Sequence, residues 1–179
     1  MKQITRIVAI SGSLKSTSAN TNILWEMAKI APENVIVNIL EGLDQLPHFN
    51  PEIIQEITAV TDFRNQIKAA DGVIFSTPEY AFGVPGVLKN ALDWLVSSGE
   101  LNGKAVAAIS VSPLHTGGDK ALASLLLTLS ALGTTKSPNT AVAIGSIKSK
   151  MNETGQITNP GTLGDLNAIL ASLLDSINP

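Results

Sequence analysis

The sequence contains no cysteine. Disulfides, thiolate nucleophiles and cysteine-based metal or iron–sulfur centres are therefore excluded, and the chain does not depend on an oxidising compartment. Charge is also scarce. Only 15% of residues are Asp, Glu, Lys or Arg, the formal net charge is −3, and no Lys/Arg cluster stands out. A nucleic-acid partner would require a basic face, and none is legible. Any bound phosphate must be held mainly by backbone N–H groups and hydroxyls. No apolar run reaches the ~18–20 residues of a membrane span. The start, Met1 to Arg6, runs into a strand-like segment and resembles no signal peptide. The expectation is a cytoplasmic protein with no membrane and no nucleic-acid partner.

Apolar residues, in contrast, are plentiful: 44% of the 179 positions, with a positive mean hydropathy. One α/β domain takes about 100–200 residues, so residues 1–179 are expected to form one domain around one core. A chain of this size buries roughly 70% of its unfolded surface and needs no staples. The surplus of apolar residues suits a large core or an oligomer interface.

Apolar runs alternate with helical stripes. Strands are predicted at Ile7–Ile10, Val35–Ile39, Gly72–Ser76, Ala105–Val111 and Ala141–Ile144, each a nearly continuous apolar run. Helices are predicted at Thr21–Ile30, with Asn20 or Ser18 near the N-cap, and within Ile53–Ala70. Others are predicted at Pro85–Ser97 and Lys120–Leu132. Pro85 suits the first turn of its helix. A final helix follows Pro160-Gly161-Thr162, where Thr162 and Asp165 resemble a capping pair. The loop Lys148–Thr158 is polar and reads as mobile or as part of an interface. Strand–helix alternation with buried strands indicates a parallel sheet covered by helices on both faces. Five strands favour the order 2-1-3-4-5, a flavodoxin-like three-layer sandwich.

In such sheets ligands bind at the carboxyl ends of the strands near the switch point, hence in the loops after strands 1, 3 and 4. The first, Ser11 to Thr21, is rich in hydroxyls and leads into a helix N-terminus. Orphan first-turn N–H groups and the helix dipole favour an anion there. Ser11, Ser13, Ser18 and Thr21 supply hydroxyls, and Lys15 supplies charge. The loop is neither a Walker A motif nor Gly-x-Gly-x-x-Gly, because Ser13 follows Gly12 directly. The second loop, Ser76 to Gly86, holds the only tyrosine, Tyr80. Pro78 and Pro85 stiffen it, and Gly83 and Gly86 permit close approach. It suits a planar ring that needs a rigid wall and backbone donors. The third loop, Ser112 to Asp119, places Gly117-Gly118 before a helix. His115, the one candidate proton donor in these loops, reads as a surface residue, and His48 as structural or rim. A turn-and-cap role for the first loop and a packing role for Tyr80 are the plain alternatives.

Gly12-Ser13-Leu14-Lys15-Ser16-Thr17-Ser18-Ala19-Asn20 looks like the Gly-Ser-Leu-Arg-x-x-Ser-x-Asn phosphate loop of the NADPH-dependent FMN reductase family. The segment Thr77 to Trp94, Thr-Pro-Glu-Tyr-Ala-Phe-Gly-Val-Pro-Gly-Val-Leu-Lys-Asn-Ala-Leu-Asp-Trp, closely resembles that family's Thr-Pro-Glu-Tyr-Asn…Pro-Gly-x-Leu-Lys-Asn-Ala-x-Asp-Trp segment. The resemblance covers nearly the whole chain, and the second match is long and specific. It implies FMN as cofactor, NADPH or NADH as reductant, and a small acceptor: a quinone, free flavin, chromate, or an azo or nitro compound. The FMN phosphate is expected on Ser11, Ser13, Lys15, Ser18 and Asn20, and the ring against Pro78, Glu79 and Tyr80, with Ser112 and Gly117 at its border. Homodimers or homotetramers are implied. Lys89, Asn90, Asp93 and Trp94 are expected to be structural.

No catalytic side chain and no metal site are assigned, since the flavin carries the redox step. The alternatives are a flavodoxin-type electron carrier, against which the mild charge argues, and a flavin-binding sensor without turnover. Two positions depart from the family pattern. Lys15 replaces arginine and loses the bidentate fork. Ala81 replaces asparagine and removes a polar side chain beside the flavin. Both bear on FMN affinity.

Overall fold

A computed structural model describes residues 4–53, 55–135 and 137–177. Met1 to Gln3, part of the leader expectation, lie outside the described residues. Five parallel strands form one sheet in the order β2-β1-β3-β4-β5. They are β1 (Thr5–Ser11), β2 (Val35–Leu40), β3 (Gly72–Thr77), β4 (Ala105–Val111) and β5 (Ala141–Ile144). The helices are α1 (Ala19–Ile30), α2 (Thr58–Ala69), α3 (Gly86–Asp93), α4 (Asp119–Ala131) and α5 (Pro160–Ile177). This is the flavodoxin-like three-layer arrangement expected from the alternation of elements.

The central strands are buried on both faces, so successive side chains feed two cores. Ile7, Ala9, Ile74, Ala107 and Ile109 face one side, where Ile23, Leu24 and Met27 of α1 and Leu166, Ile169, Leu170 and Leu173 of α5 cover them. Val8, Ile10, Val73, Phe75, Val106 and Ala108 face the other, against α2, α3 and α4 through residues such as Phe63, Leu88, Leu92 and Leu125. The register aligns Ser11 with Ser76 and Thr77 with Ser110. The polar ends of β1, β3 and β4 are thereby gathered on one edge.

Three element ends differ from the sequence expectation. Thr162 does not cap α5 with Asp165. The cap is Asn159, whose Oδ1 accepts from the Thr162 amide at 2.9 Å and from the Thr162 hydroxyl at 3.1 Å. Pro160, with no N–H to satisfy, occupies the first turn instead. Pro85 stands at the N-cap of α3 rather than inside it. That helix ends at Asp93, and the chain continues as turns through Ser97. No helix among the described residues is long and apolar enough to cross a membrane.

Candidate functional site

A cleft of about 760 Å³ opens at the carboxyl edge of the sheet, between the loops that follow β1, β3 and β4. Its volume suits a drug-sized or cofactor-sized ligand. Eight of the ten residues expected at the site line it: Ser13, Lys15, Ser18, Asn20, Pro78, Glu79, Tyr80 and Ser112. Ser11 and Gly117 are not on its wall.

The first loop is held open as a cradle. The Ser11 hydroxyl accepts from the Ser13 amide (3.3 Å) and from the Thr21 hydroxyl (2.9 Å), so Ser11 shapes the loop from beneath. The Gly12 amide donates to the Ser76 carbonyl at 2.7 Å. A Cβ on Gly12 would lie 3.0 Å from Leu88 Cδ2, and only glycine fits this approach comfortably. Ser18 caps α1, its Oγ accepting from the Asn20 amide at 3.2 Å. Asn20 is buried and its Oδ1 accepts from the Ser76 hydroxyl at 2.9 Å. That bond fixes the amide orientation and leaves Nδ2 to donate. Among the described residues the amides of Ser16, Thr17 and Ala19 have no protein acceptor. Orphan donors at a helix start, with Lys15 beside them, are groups of the kind that suit an anion.

The second loop makes the opposite wall. Pro78 is buried, while Glu79 is half-buried and sends its carboxylate away to the start of α4. There Oε2 accepts from the Ala121 amide at 3.0 Å, as an acid suits a helix N-terminus. The Glu79 side chain is thus committed, and its backbone is what remains for a ligand. Tyr80 and Gly83 close a two-residue hairpin turn with reciprocal amide–carbonyl bonds of 3.0 Å. Its central residues, Ala81 (φ 48°) and Phe82 (φ 63°), both have positive φ. Such turns favour Asn-Gly at these positions. The usual asparagine at position 81 therefore has a backbone reason in addition to any contact with a ligand.

The third loop is strapped to the exit of β5. The Leu114 carbonyl accepts from Ser146 (2.9 Å) and Gly117 (3.2 Å), and the Ser112 hydroxyl accepts from the Leu114 amide at 3.1 Å. Gly117 is needed for packing here. At φ 71° its Cβ would sit 2.7 Å from the Ala143 carbonyl carbon and 2.9 Å from the Ile144 amide. His115 is exposed and not on the cleft wall.

Sequence reasoning missed a fourth wall. Ile147, Lys148, Met151 and the segment Asn152–Gly155 also line the cleft. This stretch, expected to be a mobile or interfacial loop, is a tight turn bridged between Met151 and Ile157. Asn152 Oδ1 organises it by accepting from the Thr154 amide (3.1 Å), the Thr154 hydroxyl (2.8 Å) and the Gln156 amide (2.9 Å). The signal was the turn sequence Asn-Glu-Thr-Gly-Gln between the apolar residues Met151 and Ile157.

The expectation that Lys89, Asn90, Asp93 and Trp94 are structural matches the geometry. Asn90 Oδ1 accepts from the Phe49 amide at 2.8 Å, and Asn90 Nδ2 and Trp94 Nε1 both donate to the Pro47 carbonyl, at 3.0 and 2.9 Å. Lys89 pairs with Asp93 at 2.6 Å one turn on.

Known proteins agree with this architecture. The sequence model of the NADPH-dependent FMN reductase family matches residues 5–149. A quinone reductase of Escherichia coli (strain K12) is 33% identical over 96% of this chain and 95% of that protein. An NAD(P)H-dependent FMN reductase of Pseudomonas aeruginosa is 32% identical over 85% of this chain and 84% of its own length. Among solved structures, FerB, a flavoenzyme NAD(P)H:(acceptor) oxidoreductase from Paracoccus denitrificans, superposes with a TM-score of 0.84. It is 26% identical and covers 97% of both chains. With a family match that takes in the whole sheet and relatives similar over nearly its full length, this chain belongs to the NADPH-dependent FMN reductase family and is an oxidoreductase of the FMN-dependent kind.

Proposed function

We propose that the cleft holds FMN and that the protein uses it to pass electrons from a nicotinamide dinucleotide to a quinone. The observation that carries this reading is the division of one cleft into two chemistries. One end is an anion cradle built from orphan amides, hydroxyls and Lys15. The other is a rigid wall of Pro78, Tyr80, Leu114 and Met151. A phosphate ester with a planar ring matches both ends.

Bound FMN supplies the two-electron relay that the side chains cannot. The protein's own work is binding and positioning. Ser13, Ser18, Lys15 and Asn20 Nδ2 hold the phosphate. The backbone of Pro78 and Glu79 meets the polar edge of the ring, and Glu79 anchors that backbone to α4. Tyr80 and the Ile147–Gly155 turn narrow the mouth, so that flat substrates lie along the ring. Ser11 and Gly117 support the loops from behind. The site gathers no nucleophile–base pair, and we assign no catalytic side chain. Exposed Phe82 and Val96, at the two ends of the α3 segment, support a homodimer or homotetramer. A cytoplasmic location suits the absence of cysteine.

The test is a visible spectrum of the protein loaded with FMN and freed of excess, then mixed anaerobically with NADH or NADPH and next with a benzoquinone. Retained flavin that bleaches with the dinucleotide and recovers with the quinone is the expected result. Retained flavin that never bleaches would make the protein a carrier or sensor. Failure to retain flavin would remove the reading altogether.

A further inference from the structure

Behind the phosphate loop, on its β2 side, lies a second groove of about 360 Å³. Ser13, Lys15 and Ser16 line both this groove and the main cleft, so the two share one crest. The far groove has three features that the flavin site does not use. Trp25 is 56% exposed on α1 and presents its indole there. Leu14, also exposed, adds apolar surface on the same rim. Glu41, the residue directly after β2, also lines the groove, as does Asp44. Among the described residues the Glu41 carboxylate has neither an ion-pair nor a hydrogen-bond partner.

We propose that this groove receives the adenosine half of the reductant and that Glu41 makes the protein select NADH over NADPH. The proposal rests on the reading of the main cleft as a nicotinamide-reduced flavin site. An adenine stacks on an exposed indole as any flat ring does. A carboxylate, acceptor-only when ionised, takes two hydrogen bonds from a vicinal ribose diol. An acidic residue near the end of the second strand does this in dinucleotide folds. The diphosphate would cross the crest beside Lys15, the one cation lining both sides. A 2′-phosphate would instead be set against an unneutralised carboxylate, with Asp44 adding to the repulsion. A discriminating site often works by such an unfavourable element against the wrong ligand.

The experiment uses the FMN-loaded protein and ligands that cannot reduce it. ADP-ribose and 2′-phospho-ADP-ribose are titrated while tryptophan fluorescence is followed. Trp94 is only 5% exposed, so a surface ligand reads out at Trp25. ADP-ribose is expected to change the emission and to compete with NADH. The 2′-phosphate form should bind at least about tenfold more weakly, as like charges in contact at a surface imply. Glu41→Gln should close most of that gap and Glu41→Lys should reverse it, in binding and in the ratio of kcat/KM for the two dinucleotides. Equal binding of both ligands to the native protein would overturn the proposal. So would tighter binding of the 2′-phosphate form, or a gap unchanged in Glu41→Gln. Any of these would leave the flavin reading standing, because bleaching by dinucleotide is measured separately.

Discussion

The segment Thr77–Trp94 reads as one motif but folds as two regions with opposite physics. Its first half, Tyr80 to Gly83, is a hairpin turn in open solvent with two non-glycine residues at positive φ and Phe82 79% exposed. Its second half, Asn90 to Trp94, is locked. Asn90 makes two bonds to the Pro47–Phe49 strap, Trp94 makes a third, and Phe49 packs edge-on against Trp94 at 5.1 Å between centroids. Arg64 closes the back of that cluster, donating to the Trp94 carbonyl at 2.6 Å and lying over its ring. The tip presents a face to ligands, and the anchor holds that face still. A residue's presence in a motif therefore does not say which of these it does.

If the anchor is structural, the largest effect should come from Trp94→Ala. Removing a buried indole leaves a cavity and takes away one of the two bonds to the Pro47 carbonyl. A loss of ~3–5 kcal/mol is expected, measured by urea unfolding. The fraction that stays folded should still retain FMN. A stable variant that has lost FMN would break the comparison, because Trp94 would then belong to the site.

The difference between tip and anchor also marks what the sequence could and could not say. The sheet was readable because Ile7–Ile10, Val73–Phe75 and Val106–Ile109 are apolar at every position, which only a doubly covered strand tolerates. The cradle was readable because the hydroxyl-rich loop after β1 leads to Ser18 and Asn20 at a helix start. Three things were hidden, each for its own physical reason. Gly117 looked like a place for ligand approach, but its constraint comes from β5 backbone some 26 residues on. The Asn152 turn was hidden because a polar loop has no periodicity, and its order arises from one side chain accepting three bonds. The α5 cap was placed at Thr162 because a Thr–Asp pair fits the pattern. Asn159, three residues earlier, won because Pro160 needs no donor satisfied and leaves the cap to the residue before it.

At the tip, the comparison is sharpened by pairing Tyr80→Ala with His115→Ala. Tyr80 lines the cleft and His115 does not, although both sit in exposed loops. Tyr80→Ala is expected to raise the FMN dissociation constant or the quinone KM by about tenfold, the worth of a lost aromatic contact of ~1 kcal/mol or slightly more. His115→Ala is expected to leave both, and turnover, within about twofold. Steady-state kinetics and flavin titration decide it. The reverse ranking would move the working surface from the second loop to the third.

The smallest expected effect tests the strain itself. A left-handed conformation costs an ordinary L-residue about 1–2 kcal/mol, and asparagine tolerates it better because its short side chain bonds locally. Ala81 (φ 48°) carries that cost in a turn closed by the local Tyr80–Gly83 pair. Ala81→Asn should therefore stabilise the protein by ~0.5–1 kcal/mol and tighten FMN slightly by holding Tyr80 in place, whereas Ala81→Val should do the opposite, since a β-branched residue resists positive φ most. Paired unfolding curves and FMN titrations read both terms. If Ala81→Asn tightens FMN by far more than the stability gain, the asparagine side chain is meeting the flavin directly, and the tip is a ligand contact first and a turn second. If stability and affinity move together by the same small amount, the turn's backbone accounts for the effect. Position 81 then belongs with the anchor as part of the support for Tyr80.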